Sequence, residues 1–146
     1  MNVYGDGWEG GSDRPGYTWR RMRIAGELLG ASIYELPPGE KSFPYHIHHA
    51  NEELLVVLDG EPTLRDANGE RTLSRGDAVV FPRGPDGAHQ IRNDGDGPAR
   101  VMMVSTLVVP EIVDYLDSGK AGIAGGTAER GMFRRSDTVD YWEGEE

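Results

Sequence analysis

The chain has 146 residues, enough to bury one sizeable core and too few for two, so a single domain is expected. Its formal charge of -10, from 25 acidic against 15 basic residues, excludes a general electrostatic attraction to nucleic acid or anionic membranes and leaves small molecules and proteins as partners. Cysteine is absent, which excludes disulfides, thiolate zinc sites and thiol nucleophiles, and confines any metal to His, carboxylate or water ligands.

Residues 1–16 are polar and Gly-rich, with Tyr4 and Trp8 as the main core candidates, and read as an irregular arm. No apolar h-region stands there and no apolar run reaches the length of a membrane span, so a cytoplasmic protein is expected. Tyr17 to Ile24 reads as an edge strand. Leu28 to Leu36 reads as a strand that must stop at Pro37-Pro38-Gly39, because proline cannot donate to a ladder. Glu53 to Leu58 is a short continuous apolar run closed by Asp59-Gly60, the pattern of a buried strand. Asn68-Gly69 marks a hairpin between Pro62–Leu64 and Glu70–Leu73, and Arg75-Gly76-Asp77 is a turn before the strand Ala78–Phe81. The Pro/Gly loop Pro82–Gly87 leads to a segment whose alternation puts His89, Ile91 and Asn93 on one face. After the turn Asn93–Pro98, Arg100 to Val109 supplies the last long strand, and Pro110 opens an expected short helix over 111–116. Residues 117–146 read as an irregular acidic segment. Its end carries five acidic residues and no basic one, with Val139, Tyr141 and Trp142 as anchors. Many short strands between tight turns describe an all-β domain over 17–116, a sandwich or barrel.

The chemistry gathers at Tyr45-His46-Ile47-His48-His49, which holds three of the four histidines. On a strand, His46 and His48 project to one face about 6 to 7 Å apart, so two neutral imidazoles can converge on one ion, whereas His49 points away. A carboxylate added to that pair makes the two-His-one-carboxylate arrangement that suits Fe(II) or Mn(II) and leaves positions open for substrate. Glu52 and Glu53 both stand within reach. Alternation does not separate them, because both faces of Leu54–Leu58 are apolar.

Gly39, His46-Ile47-His48, Glu53 and Gly60 resemble the first motif of the cupin superfamily, and Gly76, Pro82, Gly84, His89 and Asn93 resemble its second. The spacing of Glu53 to Gly60 follows the motif and favours Glu53 over Glu52. The resemblance implies a jelly-roll barrel, or double-stranded β-helix, holding one divalent transition metal (Mn, Fe, Ni or Zn) on His46, His48, Glu53 and His89. Two departures stand out. Six residues separate Gly39 from His46 where five are usual, and four separate Gly84 from His89 where two are usual. The final stretch is similar to a small bacterial cupin subgroup, some members of which are labelled sugar-phosphate isomerase.

Two functions are consistent with these residues. One is a small metal-dependent enzyme acting on a small polar metabolite by oxygenase or isomerase chemistry. The other is a non-catalytic small-molecule-binding or sensor protein with a structural metal or none. Arg83, beside the expected mouth, is a candidate clamp for a substrate carboxylate or phosphate, and Tyr45 a candidate hydrogen-bond donor near the metal. Their plainer readings are an exposed turn arginine and a packing tyrosine. Asn93 has a plain reading too, that of pinning the turn after it. Cupins often dimerise, so a homodimer is also expected.

Overall fold

A computed structural model describes residues 1–125 and 130–145. Its strands in chain order are β1 Gly10–Arg14, β2 Tyr17–Ala25, β3 Leu29–Leu36, β4 His46–His48, β5 Glu53–Asp59, β6 Thr63–Asp66, β7 Gly69–Thr72, β8 Ala78–Phe81, β9 His89–Arg92, β10 Ala99–Thr106, β11 Glu111–Tyr115, β12 Lys120–Ala124 and β13 Gly131–Arg134. They form two antiparallel sheets, one ordered β1-β2-β3-β10-β5-β8 and the other β13-β12-β11-β4-β9-β6-β7. Facing sheets with strands that cross between them are the jelly-roll architecture the sequence implied. Among the described residues the sole helical element is a 3-10 turn, Pro85–Gly87, and no helix is long and apolar enough to cross a membrane.

The core between the sheets is built from Tyr34, Leu36, Leu55, Val57, Phe81, Ile91 and their neighbours. A second apolar layer, Met22, Ile33 and Leu58, lies on the outer face of the six-stranded sheet under Val3 and Trp8 from the N-terminal arm. This layer explains why β5 is apolar on both faces: alternate residues serve different cores.

Several expectations are corrected at the ends of the chain. The arm is not irregular throughout, since β1 pairs with β2 across a two-residue turn, Pro15-Gly16. Proline followed by a glycine at φ 80 fits a type II turn, and the added strand means that β2 is not the sheet edge. The expected helix at 111–116 is strand β11, paired with both β4 and β12. Its sequence alternates Glu111, Val113 and Tyr115 against Ile112 and Asp114, a period of two that Pro110 does not override. Residues 117–146 are not wholly irregular, because β12 and β13 extend the seven-stranded sheet. Val139, Tyr141 and Trp142 are exposed and anchor nothing within the chain. The Asn68-Gly69 hairpin forms as expected, with the positive φ carried by Gly69 and the Asp66 carboxylate accepting from the Asn68 N–H at 2.8 Å.

Candidate metal centre

Strand β4 is only three residues long, and its pleat sends His46 and His48 into the space between the sheets while Ile47 turns to the other face. In the antiparallel register of β4 with β9, His46 stands directly opposite His89. Glu53, the first residue of β5, enters from the facing sheet. Three donor atoms, from His46, His48 and Glu53, therefore lie within 4.8 Å of one another, and His89 joins them through the Glu53 carboxylate. His46 Nε2 is 3.2 Å from His48 Nε2, His48 Nε2 is 3.4 Å from Glu53 Oε2, and His89 Nε2 is 3.1 Å from the same oxygen.

The separations among His46, His48 and Glu53 are those that one ion could hold. Bonds of about 2.1 Å at right angles put neighbouring donors roughly 3.0 Å apart. The far side of each ring supports the same geometry. His46 Nδ1 donates to the Pro44 carbonyl at 2.8 Å, His89 Nδ1 to the Gly87 carbonyl at 2.9 Å, and His48 Nδ1 to Glu111 Oε2 at 3.2 Å. Each acceptor has no proton to give, so each Nδ1 carries a hydrogen, which leaves Nε2 as the atom that would face an ion once any proton it shares with Glu53 is displaced.

Burial, reinforced by His89 and His48 nearby, lowers the His46 pKa to about 3 and keeps its imidazole neutral. Burial pushes His48 the same way, but hydrogen bonds and charge from Glu53 and Glu111 outweigh it and raise its pKa. For Glu53, burial opposes ionisation, yet hydrogen bonds from His48 and His89 hold the carboxyl well below its usual range. The donor set is thus one anion and imidazoles around it, a set that could hold a metal ion.

The longer loop before His89 turns out to place the ligand. Its extra residues form the 3-10 turn Pro85–Gly87, and the Gly87 carbonyl orients the ring. Phe81 stacks on that ring with centroids 3.8 Å apart. Asn93 pins the following turn, donating to the Leu36 and Gly97 carbonyls at 2.9 and 2.8 Å.

Glu111 is the residue that sequence reasoning missed. Besides His48, it accepts from the backbone N–H groups of His49 and Ala50 at 3.1 and 3.0 Å and from the Asn51 side chain. The only sequence signal was an acid isolated in an apolar run after Pro110. Glu52 is exposed, so the carboxylate at the site is Glu53. His49 points outward, as alternation predicts, and bonds Asp114 at 2.8 Å. Tyr45 and Arg83 are not brought to the site. The Tyr45 ring lies 3.9 Å under the Arg65 guanidinium, Arg83 is exposed, and neither lines the cavity above the ligands. That cavity is about 230 Å³, with Tyr34, Phe43, Met103, Val113 and Tyr115 in its walls.

Residues 32–105 match the family model described as "Cupin domain". The chain belongs to the cupin family. This cupin is 32% identical over 102 residues to the tetracenomycin polyketide synthase protein TcmJ of Streptomyces glaucescens, a match covering 70% of this chain and 65% of that protein's length. Two crystal structures share its fold over most of both chains. One is the "Putative sugar phosphate isomerase" of Acidithiobacillus ferrooxidans, at TM-score 0.79 and 26% identity, covering 91% of this cupin and 86% of that chain. The other is a sugar phosphate isomerase from Silicibacter pomeroyi, at TM-score 0.81 and 24% identity, covering 98% and 97%.

Proposed function

We propose that His46, His48, Glu53 and His89 hold one divalent transition metal and that this cupin is a small metal-dependent enzyme acting on a small polar metabolite. The observation that carries the reading is the convergence of His46, His48 and Glu53 donor atoms, with His89 bonded to the same carboxylate and each imidazole held from behind, beneath a partly open cavity. When bound, the ion supplies Lewis-acid polarisation of a substrate oxygen, or redox chemistry if it is Fe or Mn. The chain's own part is to keep His46 neutral, to exclude water with Phe43, Ile91, Val101 and Met103, and to offer the Tyr34 and Tyr115 phenols to a bound polar molecule. Isomerase-type chemistry is preferred over oxygenation because the structural relative from A. ferrooxidans bears a sugar phosphate isomerase name.

Elemental analysis of protein purified without a histidine tag, then assays of metal-reconstituted protein on sugar phosphates, enols and catechols, tests the reading. Turnover is expected with a metal present and lost in His48→Ala. Equal turnover in the variant overturns it.

A binding or sensor role is favoured by one feature. Among the described residues no carboxylate except Glu53 lines the inner cavity, and its imidazoles are the proposed ligands themselves, so no separate carboxylate or imidazole base stands there. Protein that is metal-free as purified, with a melting temperature indifferent to added metal, would support that role. A cytoplasmic homodimer belongs to the same proposal. It is supported by the exposed apolar residues Val108, Val109 and Ile112, and light scattering measures it.

A further inference from the structure

The inner cavity opens into a wider vestibule of about 420 Å³, whose walls also include Tyr34, His48 and Glu53. Three arginines line it: Arg21 and Arg23 from β2, and Arg130 just before β13. The two on β2 face inward for a sequence reason. They continue the alternation begun by Trp19, whose ring packs in the core against Tyr34 and Phe43. Opposite Arg21, β1 carries Gly10, where a Cβ would come within 3.4 Å of the Arg21 guanidinium.

None of the three has a carboxylate within ion-pair distance among the described residues, whereas Arg20, Arg65, Arg71, Arg92, Arg100 and Arg135 all do. Arg14, Arg75, Arg83 and Arg134 also lack an ion pair among the described residues, so what marks these three is that they line one opening together, with the Arg21 Nε buried. The Nε of Arg21 is buried with no hydrogen-bond partner. Such a donor costs stability until something accepts from it. The acids on the vestibule wall, Glu53 and Glu111, are already engaged by histidines and backbone N–H groups.

We infer that the vestibule is an anion-binding subsite for a dianionic phosphate monoester. Planar guanidinium forks match phosphate oxygens bidentately, and several forks suit a dianion better than a monocarboxylate, which one fork satisfies. A molecule held there by its phosphate directs its other end past Tyr34 to the histidines. Only that last statement rests on the proposed metal function.

The test is calorimetric titration of inorganic phosphate, ribose 5-phosphate and ribose into full-length protein stripped of metal by chelator, so that no anion binds through a metal. Saturable binding of both phosphates and none of ribose is expected. Arg23→Gln, exposed and remote from the core, should weaken phosphate binding about tenfold or more, and Arg21→Gln likewise, while Arg23→Lys loses less and Arg83→Gln loses nothing. Metal content of the arginine variants should equal that of the parent. Absence of saturable phosphate binding, or unchanged affinity in the Arg21→Gln/Arg23→Gln double variant, overturns the inference. Metal taken up on reconstitution without phosphate binding removes the subsite alone, and phosphate binding by a protein that takes up no metal on reconstitution removes the metal reading alone.

Discussion

Glu111 stands behind His48 as the Pro44 and Gly87 carbonyls stand behind His46 and His89, but it alone carries a charge. A carboxylate on Nδ1 raises the basicity of Nε2 and fixes its tautomer, so Glu111→Gln should lower metal affinity about 10- to 100-fold. The Gln carbonyl still accepts from the backbone N–H groups of His49 and Ala50, while its NH2 replaces the oxygen that accepted from His48 and Asn51. Competition with a chromophoric chelator measures the change, and unchanged affinity would remove Glu111 from the site. The same residues set the pH response. His46 stays unprotonated down to about 3 and offers its lone pair throughout the neutral range, whereas His48, between Glu53 and Glu111, keeps its proton above the ordinary imidazole pKa. Metal must displace that proton. Affinity should therefore fall as pH drops below the raised His48 pKa, by about tenfold per pH unit, and level off above it. Chelator competition across pH reads the slope directly, and a flat profile would show that His48 is not a ligand.

At the scale of elements, the delivery of His89 depends on the tight turn before β9. A Cβ on Gly87 would lie 1.7 Å from the Pro82 carbonyl oxygen, a backbone clash that side-chain movement does not relieve. Gly87→Ala should destabilise the protein by about 1 to 3 kcal/mol and weaken metal binding, because the Gly87 carbonyl that orients His89 must move. Urea melts and metal titration measure the two effects. Stability equal to the parent would mean the turn rearranges freely. The strands that carry ligands were legible in the sequence because each has its own pattern: His-x-His on a pleat, a short apolar run after Glu53, alternation from His89 to Asn93. The outer strands were not. In β1, Gly10-Gly11-Ser12-Asp13 has little strand preference, and pairing with β2 holds it extended. In β11, five residues after a proline fit a helix start as well as a strand, and only the neighbours β4 and β12 decide. Glu111 and the vestibule arginines escaped for a related reason. Their significance lies in partners, or the lack of them, that the fold alone determines: Glu111 meets His48 across 63 positions of sequence.

Across the whole molecule, the proposed ligands are divided between the sheets. His46, His48 and His89 lie on the seven-stranded sheet, and Glu53 alone comes from the six-stranded one. An ion bound by all four would join the two layers at the cavity between them. Mass action fixes the size of the effect: free metal at a hundredfold over Kd adds about 2.7 kcal/mol. For a chain of this length that is roughly 5 to 11 °C in Tm, an increment that His48→Ala should abolish. The distribution of the effect tests the role of Glu53. Hydrogen exchange with and without metal should show β4, β9 and the start of β5 gaining protection together, because opening either sheet releases a ligand. If histidines alone held the ion, protection would rise in β4 and β9 while β5 exchanged as before, and Glu53 would be a hydrogen-bond acceptor beside the metal instead of a ligand to it.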